Sequence, residues 1–123
     1  AIALQPDEDW YHYRRGLIHL QLHADKAAHT DIEQALALAG ERYTSDPRMW
    51  RNTLNIALYH VAIGNTAAAE ALYQDALASD VPLGRLREAI SDLDDLLEVL
   101  PGHAGASAMR TLLQSAVEQR GSG

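Results

Sequence analysis

Two stretches decide the fold: residues 6–38, PDEDWYHYRRGLIHLQLHADKAAHTDIEQALAL, and residues 47–78, PRMWRNTLNIALYHVAIGNTAAAEALYQDALA. Laid over each other from Pro6 and Pro47, they agree in one register. Gly16 matches Ala57, His19 matches His60, Ala28 matches Ala69, Ile32 matches Tyr73, and Ala35-Leu36 matches Ala76-Leu77. Self-similarity at a fixed offset is the mark of a repeat architecture. The residue types suit a pair of antiparallel helices. Gly16 and Ala28, like Ala57 and Ala69, are small enough for two helices to cross closely. Ile32 and Tyr73 are large enough to fill the space between one pair and the next.

The rest of the chain reads as helix in the same way. Pro6 and the acids Asp7, Glu8 and Asp9 form a start signal. A first helix follows from about Asp9 to Leu22, with Trp10, Tyr13, Leu17 and Leu20 on one side. A second is expected from about Asp25 to Ala39, with Gly40 as its cap and a loop over residues 41–46. Pro47 opens a third, ending near Ile63 before a tight Gly64-Asn65 turn. A fourth runs from about Thr66 to Ala78. The fifth carries Leu83, Leu86, Ile90, Leu93, Leu97 and Leu100 at steps of three and four, an unbroken apolar seam. Pro101-Gly102 stops it, and a sixth spans about Ala104 to Gln119, with Ala106, Met109, Leu113 and Ala116 inward. Short turns make consecutive helices antiparallel neighbours, and no helix here is long enough to be stable alone in water. The expectation is a single all-α domain over residues 1–120, built of hairpins at about 9–39, 47–78 and 83–119. Gly121-Ser122-Gly123 reads as a flexible tail or an appended scar.

Composition supports this and removes several functions. The chain has 123 residues, 47% of them hydrophobic, enough to fold around one small core. Its net charge of −7 and pI of about 5.2 repel phosphate backbones, so no nucleic-acid partner is expected. There is no polybasic patch for anionic lipid and no apolar run long enough to span a bilayer. No Cys is present, which removes disulfides and thiolate chemistry and fits a cytoplasmic protein.

The paired pattern resembles the tetratricopeptide repeat, whose signature sets small residues, an aromatic, Ala and Pro at fixed spacing. Residues 6–38 carry it best and 47–78 nearly as well. There are departures. His12 and Thr53 stand in the Trp slot, Arg15 and Ile56 in the Leu slot, and His19 and His60 in the Tyr slot. The two copies lie 41 residues apart, with the excess over the usual repeat falling in the loop before Pro47. The resemblance implies a short right-handed solenoid of stacked hairpins. Ala1 would then fall on the last Ala of a preceding repeat, so the sequence is expected to be part of something longer. The third hairpin is read as a complete but degenerate repeat; alternatively, the fifth helix is a second helix by type.

Chemistry-bearing clusters are sparse. His19 and His23 are four apart, a legal two-ligand metal spacing. Against this, His19 has a repeat equivalent in a packing slot, and no HExxH is present. The acids of residues 7–9 and of Asp92, Asp94 and Asp95 read as helix-start and solvated-face residues. No nucleophile motif or phosphate loop is present, so neither enzyme activity, nor a cofactor, nor a metal is expected. The resemblance implies instead a concave groove lined by the first helix of each hairpin. The matching positions are Trp10, Tyr13, Arg14, Leu17, Gln21, Arg51, Leu54, Asn55 and Leu58. Aromatics and Arg are typical anchor types, and such a groove suits a peptide or partner segment of another protein. The competing reading puts Trp10 against an upstream repeat and Leu54 and Leu58 in the inter-hairpin core. A subgroup of the family clamps chaperone C-termini; Asn55 fits its asparagine slot, but Tyr13 and Leu17 replace the expected Lys and Asn, so that activity is not expected. Further alternatives are a structural spacer, self-association through exposed repeat ends, or the regulatory arm of a larger bacterial signalling protein.

Overall fold

The computed structural model describes residues 8–45 and 50–122, with the side chains of Glu8, residues 42–45, Arg51 and residues 121–122 outside the described set. Pro6, Pro47 and the first acid of residues 7–9 lie outside it. Among the described residues there are six helices and no strand: α1 (Glu8–Gln21), α2 (Asp25–Ser45), α3 (Trp50–Ala62), α4 (Thr66–Ala78), α5 (Leu83–Val99) and α6 (Ala104–Ser122).

The repeat register seen in the sequence is carried by the backbone. α1 ends at Gln21 and α3 at Ala62; α2 begins at Asp25 and α4 at Thr66. In the first turn the N–H groups of Leu22, His23 and Ala24 donate to the carbonyls of Ile18, Leu20 and His19. In the second, those of Ile63, Gly64 and Asn65 donate to Tyr59, Val61 and His60, the equivalent positions. The middle residue of each turn is left-handed, Gly64 at φ 93° and His23 at φ 59°. Gly adopts this region freely, and His is among the residues that tolerate it. The third turn differs. It has four residues, Leu100 to His103, between α5 and α6, and the His103 imidazole caps α6 by accepting from the Ala106 N–H at 3.0 Å.

The first hairpin closes on Gly16. A Cβ there would lie 2.9 Å from Ile32 Cγ1 and 3.4 Å from the Ala28 carbonyl oxygen. Ala57, Ala69, Ile32 and Tyr73 are all buried. α3 is the central helix, packed against α2, α4, α5 and α6, and every residue from Asn52 to Tyr59 is buried. The apolar seam of α5 faces inward through Leu86, Ala89, Ile90, Leu93 and Leu96. Ala106, Met109 and Leu113 of α6 cover it from the other side. Burying each of Leu58, Leu86, Leu93, Leu96 and Leu113 stabilises the fold by roughly 1.5–3 kcal/mol.

Two boundaries differ from expectation. α2 does not cap at Gly40 but continues to Ser45, so most of the expected loop is helical. A helical Gly costs only about 1 kcal/mol, and Leu38 and Ala39 beside it are buried. At the other end α6 runs through Ser122 rather than fraying into a tail at Gly121. Arg120 explains this, because its guanidinium donates to the carbonyls of Val81 and Leu77 and pins the last turn to the end of α4.

A row of hairpins in which each touches only its neighbours would keep α1 and α5 apart. Here they are in contact. The first and third hairpins therefore meet over α3, and the meeting creates the cleft described next.

Candidate functional site

α1 and α5 face each other along a cleft. From α1 it is lined by Trp10, Arg14, Leu17, Ile18 and Gln21, which share one face of the helix by their spacing of three and four. From α5 it is lined by Arg85, Glu88, Ser91, Asp92, Asp95 and Glu98. Arg14 and Asp95 approach to 3.8 Å across it and divide it into two cavities. The larger, about 390 Å³, lies between Trp10, Arg85, Glu88, Ser91 and Asp92, with Asn55 of α3 contributing from below. The smaller, about 170 Å³, lies toward the C-terminal end of α1.

A block of tyrosines supports the larger cavity. Trp10 and Tyr13 rings are 5.3 Å apart, and those of Tyr13 and Tyr59 are 5.0 Å apart. The Tyr59 hydroxyl donates to the buried Asp9 carboxylate at 2.7 Å. Burial pushes the Tyr13 and Tyr73 hydroxyls well above the ordinary tyrosine value, and the Asp92 charge pushes them further. Tyr59 is raised by burial and then by Asp9. All three stay neutral, and the negative field in this part of the molecule comes from the carboxylates. The Tyr13 and Tyr73 hydroxyls are buried with no hydrogen-bond partner among the described residues.

The expected groove residues are only partly exposed to the cleft. Trp10 is half-buried and lines the larger cavity, Asn55 lines its base, and Arg14, Leu17 and Gln21 border the smaller one. Tyr13, Leu17, Leu54 and Leu58 are buried in the core. As an open surface over these four, the expected groove is therefore corrected: α5 closes over α1 and α3 and takes up the apolar part. The Arg51 side chain lies outside the described residues. The sequence reading missed the α5 wall. It placed Asp92, Asp94 and Asp95 together on a solvated face, whereas Asp92 and Asp95 turn to the cleft and Asp94 pairs with Arg110 of α6. All three are half-buried. The signal was available in the helical period, because residues 88, 92 and 95 share one side of α5.

A second polar cluster sits at the α1–α2 seam. Arg15 grips Asp31 with two hydrogen bonds, 2.9 Å from Nε and 2.6 Å from Nη2, while its guanidinium lies 5.4 Å from the Tyr11 ring centre. Asp31 is only 5% exposed, and the Arg15 hydrogen bonds hold its carboxyl below the usual carboxylate range. His19 Nε2 lies 3.3 Å and His12 Nδ1 3.7 Å from the same carboxylate. His19 therefore turns toward α2, while His23 sits past the end of α1 in its left-handed turn. Among the described residues no three His, Asp or Glu side chains are arranged to hold a metal ion. In the second hairpin the positions of Arg15 and Asp31 are taken by Ile56 and Leu72, so an ion pair in one repeat stands where an apolar pair stands in the other.

Set against protein-family models, curated proteins and solved structures, the chain matches none. No helix among the described residues is long and apolar enough to cross a membrane.

Proposed function

We propose that this chain is a protein-interaction module of the tetratricopeptide kind, without enzyme activity, that holds an extended segment of a partner protein in the α1–α5 cleft. The observation that carries this is the cleft. It runs along two facing helices, offers an indole, amides and charges at its rim, and has a rigid apolar core beneath. Grooves of this form present side-chain pockets at helical spacing to a bound segment. The identical hairpin turns at positions 22–24 and 63–65 and the close crossing at Gly16 support the repeat relationship.

The test is a selection from a displayed library of random 12-residue peptides, followed by titration of the enriched peptides. Ser91→Trp is the control, because Ser91 is exposed on the cleft wall and a Trp there fills the larger cavity without touching the core. Enriched peptides that bind wild type and lose at least tenfold in affinity for Ser91→Trp support the reading. Peptides that bind both equally move the site elsewhere, and a library that yields no binder removes it.

A self-association reading is favoured by one observation. Tyr11 and Ile18 of α1, and Leu22 in the turn that follows it, are exposed large apolar residues, Leu22 at 70%. Sedimentation equilibrium decides it: a molar mass that rises with concentration, and ceases to rise in Leu22→Ser, makes this face an interface.

A further inference from the structure

The smaller cavity, toward the C-terminal end of α1, has a chemistry more specific than a general groove. We propose that it is a subsite for one lysine side chain of the bound segment; this rests on the reading of the cleft as a peptide groove.

Three observations converge on a long apolar stem with a cationic tip. The first is the floor. Leu17, Ile18 and Val99 line the cavity; Leu17 is buried, Val99 is half-buried and Ile18 is 54% exposed. A stem laid over this floor takes its apolar surface out of water. The second is size. At about 170 Å³ the cavity has the volume of about five or six waters at roughly 30 Å³ each. A flexible four-carbon stem ending in one nitrogen is of that size, whereas a guanidinium or an indole is bulkier. The third is the balance of charge at the rim. Arg14 and Asp95 approach each other to 3.8 Å and offset one another. Glu98, one turn beyond Asp95 on α5, also lines the cavity. It is exposed and enters no hydrogen bond or ion pair among the described residues. Opposite it on α1, Gln21 lines the cavity and likewise has no partner among the described residues.

A lysine meets all three at once. Its stem lies over Leu17, Ile18 and Val99 while its ammonium stays at the wet rim, as such side chains do on apolar surfaces. The three ammonium donors rotate freely, so they reach both the Glu98 carboxylate and the Gln21 carboxamide oxygen. A guanidinium fork suits a single carboxylate, and here it would crowd against Arg14. An apolar side chain would cover the floor and leave Glu98 without a cation. An acidic one would be repelled by Glu98 and Asp95.

The test uses the same random library and one ligand-side change that cannot affect folding. Enriched peptides are expected to share a single lysine position. Replacing that lysine by 6-hydroxynorleucine, which keeps the stem and puts a hydroxyl in place of the ammonium, should weaken binding at least threefold. An effect of this modest size is what a partly exposed ion pair supplies. The difference should shrink when salt is raised from about 0.1 M to about 1 M, which shortens the screening length from about 10 Å to about 3 Å. On the protein side, Glu98→Gln lies on the exposed rim and should abolish the difference between the two peptides. In ¹H–¹⁵N spectra the lysine peptide should shift the Gln21 carboxamide resonances. Binders that share no lysine, a hydroxynorleucine peptide that loses less than threefold, or a difference that survives Glu98→Gln would overturn the subsite and leave the peptide groove standing. Failure of the library to yield any binder would overturn both.

Discussion

Gly16→Ala is the sharpest test of the hairpin geometry. A glycine inside a helix normally makes Ala a stabilising replacement, by about 1 kcal/mol. At Gly16 the added Cβ would lie 2.9 Å from Ile32 Cγ1, 3.4 Å from the Ala28 oxygen and 3.5 Å from Asp31 Cβ. The first distance is well inside the optimum of about 3.5–4.0 Å between carbon atoms. Neither Ile32 nor the α2 backbone can withdraw easily, because Ile32 is itself buried. Overpacking of this kind costs about 1–3 kcal/mol, so the net result is a loss of about 1 kcal/mol. Gly40→Ala is the internal control: it also lies within a helix, but its Cβ would meet nothing within 4 Å, and the substitution should gain about 0.5–1 kcal/mol. The two variants should therefore move in opposite directions, measured by urea unfolding followed by circular dichroism. In the Ile32→Ala background the penalty at Gly16 should disappear, a coupling of about 1 kcal/mol or more. If Gly16→Ala stabilises as much as Gly40→Ala, α1 and α2 do not cross where this structure puts them.

Further outcomes follow from three other contacts. Tyr59→Phe removes a buried hydroxyl donor from Asp9 and should cost about 1–3 kcal/mol, read from the same unfolding curves. Arg15→Ile with Asp31→Leu, which copies Ile56 and Leu72 of the second hairpin, should be less destabilising than Arg15→Ile alone, because that single change leaves the buried Asp31 carboxylate without its guanidinium. Asp31 titrates low in the fold through its Arg15 hydrogen bonds. Its contribution is therefore present above the unfolded value of about 3.9 and is lost as pH falls through the folded value. Unfolding curves from pH 6 to pH 2 should then show wild type losing more stability than the double variant on acidification below about pH 4. His103→Ala removes the acceptor for the Ala106 N–H and should cost roughly 0.5–2 kcal/mol as a lost helix cap, with the α6 amides of Ala106 and Ser107 exchanging faster.

Much of the helical framework was legible in the chain. The positions of Gly64, Pro82 and Pro101-Gly102 mark turns that the structure contains, and the period of Leu86, Ile90 and Leu93 marks the buried face of α5. Gly40 misled because a glycine that can cap a helix can also sit inside one at modest cost. The choice was made by the burial of Leu38 and Ala39 and by the packing of α2 on α3. The cleft was half legible. Trp10, Arg14, Gln21 and Asn55 belong to it. Asp92 and Asp95 had been given to solvent, because an acidic face on an amphipathic helix looks the same whether water or another helix lies opposite.

The all-helical class, the hairpin turns and the matched register of the first two hairpins are legible in the residue pattern alone. These depend on local quantities: helical period, turn residues and small side chains within one pair of helices. That α1 meets α5, that Tyr13 and Leu58 become core, and that Arg15 finds Asp31 emerges only when the hairpins pack. Those outcomes depend on how each hairpin is rotated against the next. That rotation is set by the fit of side-chain ridges between helices far apart in the chain, where no periodicity within a single segment records the angle.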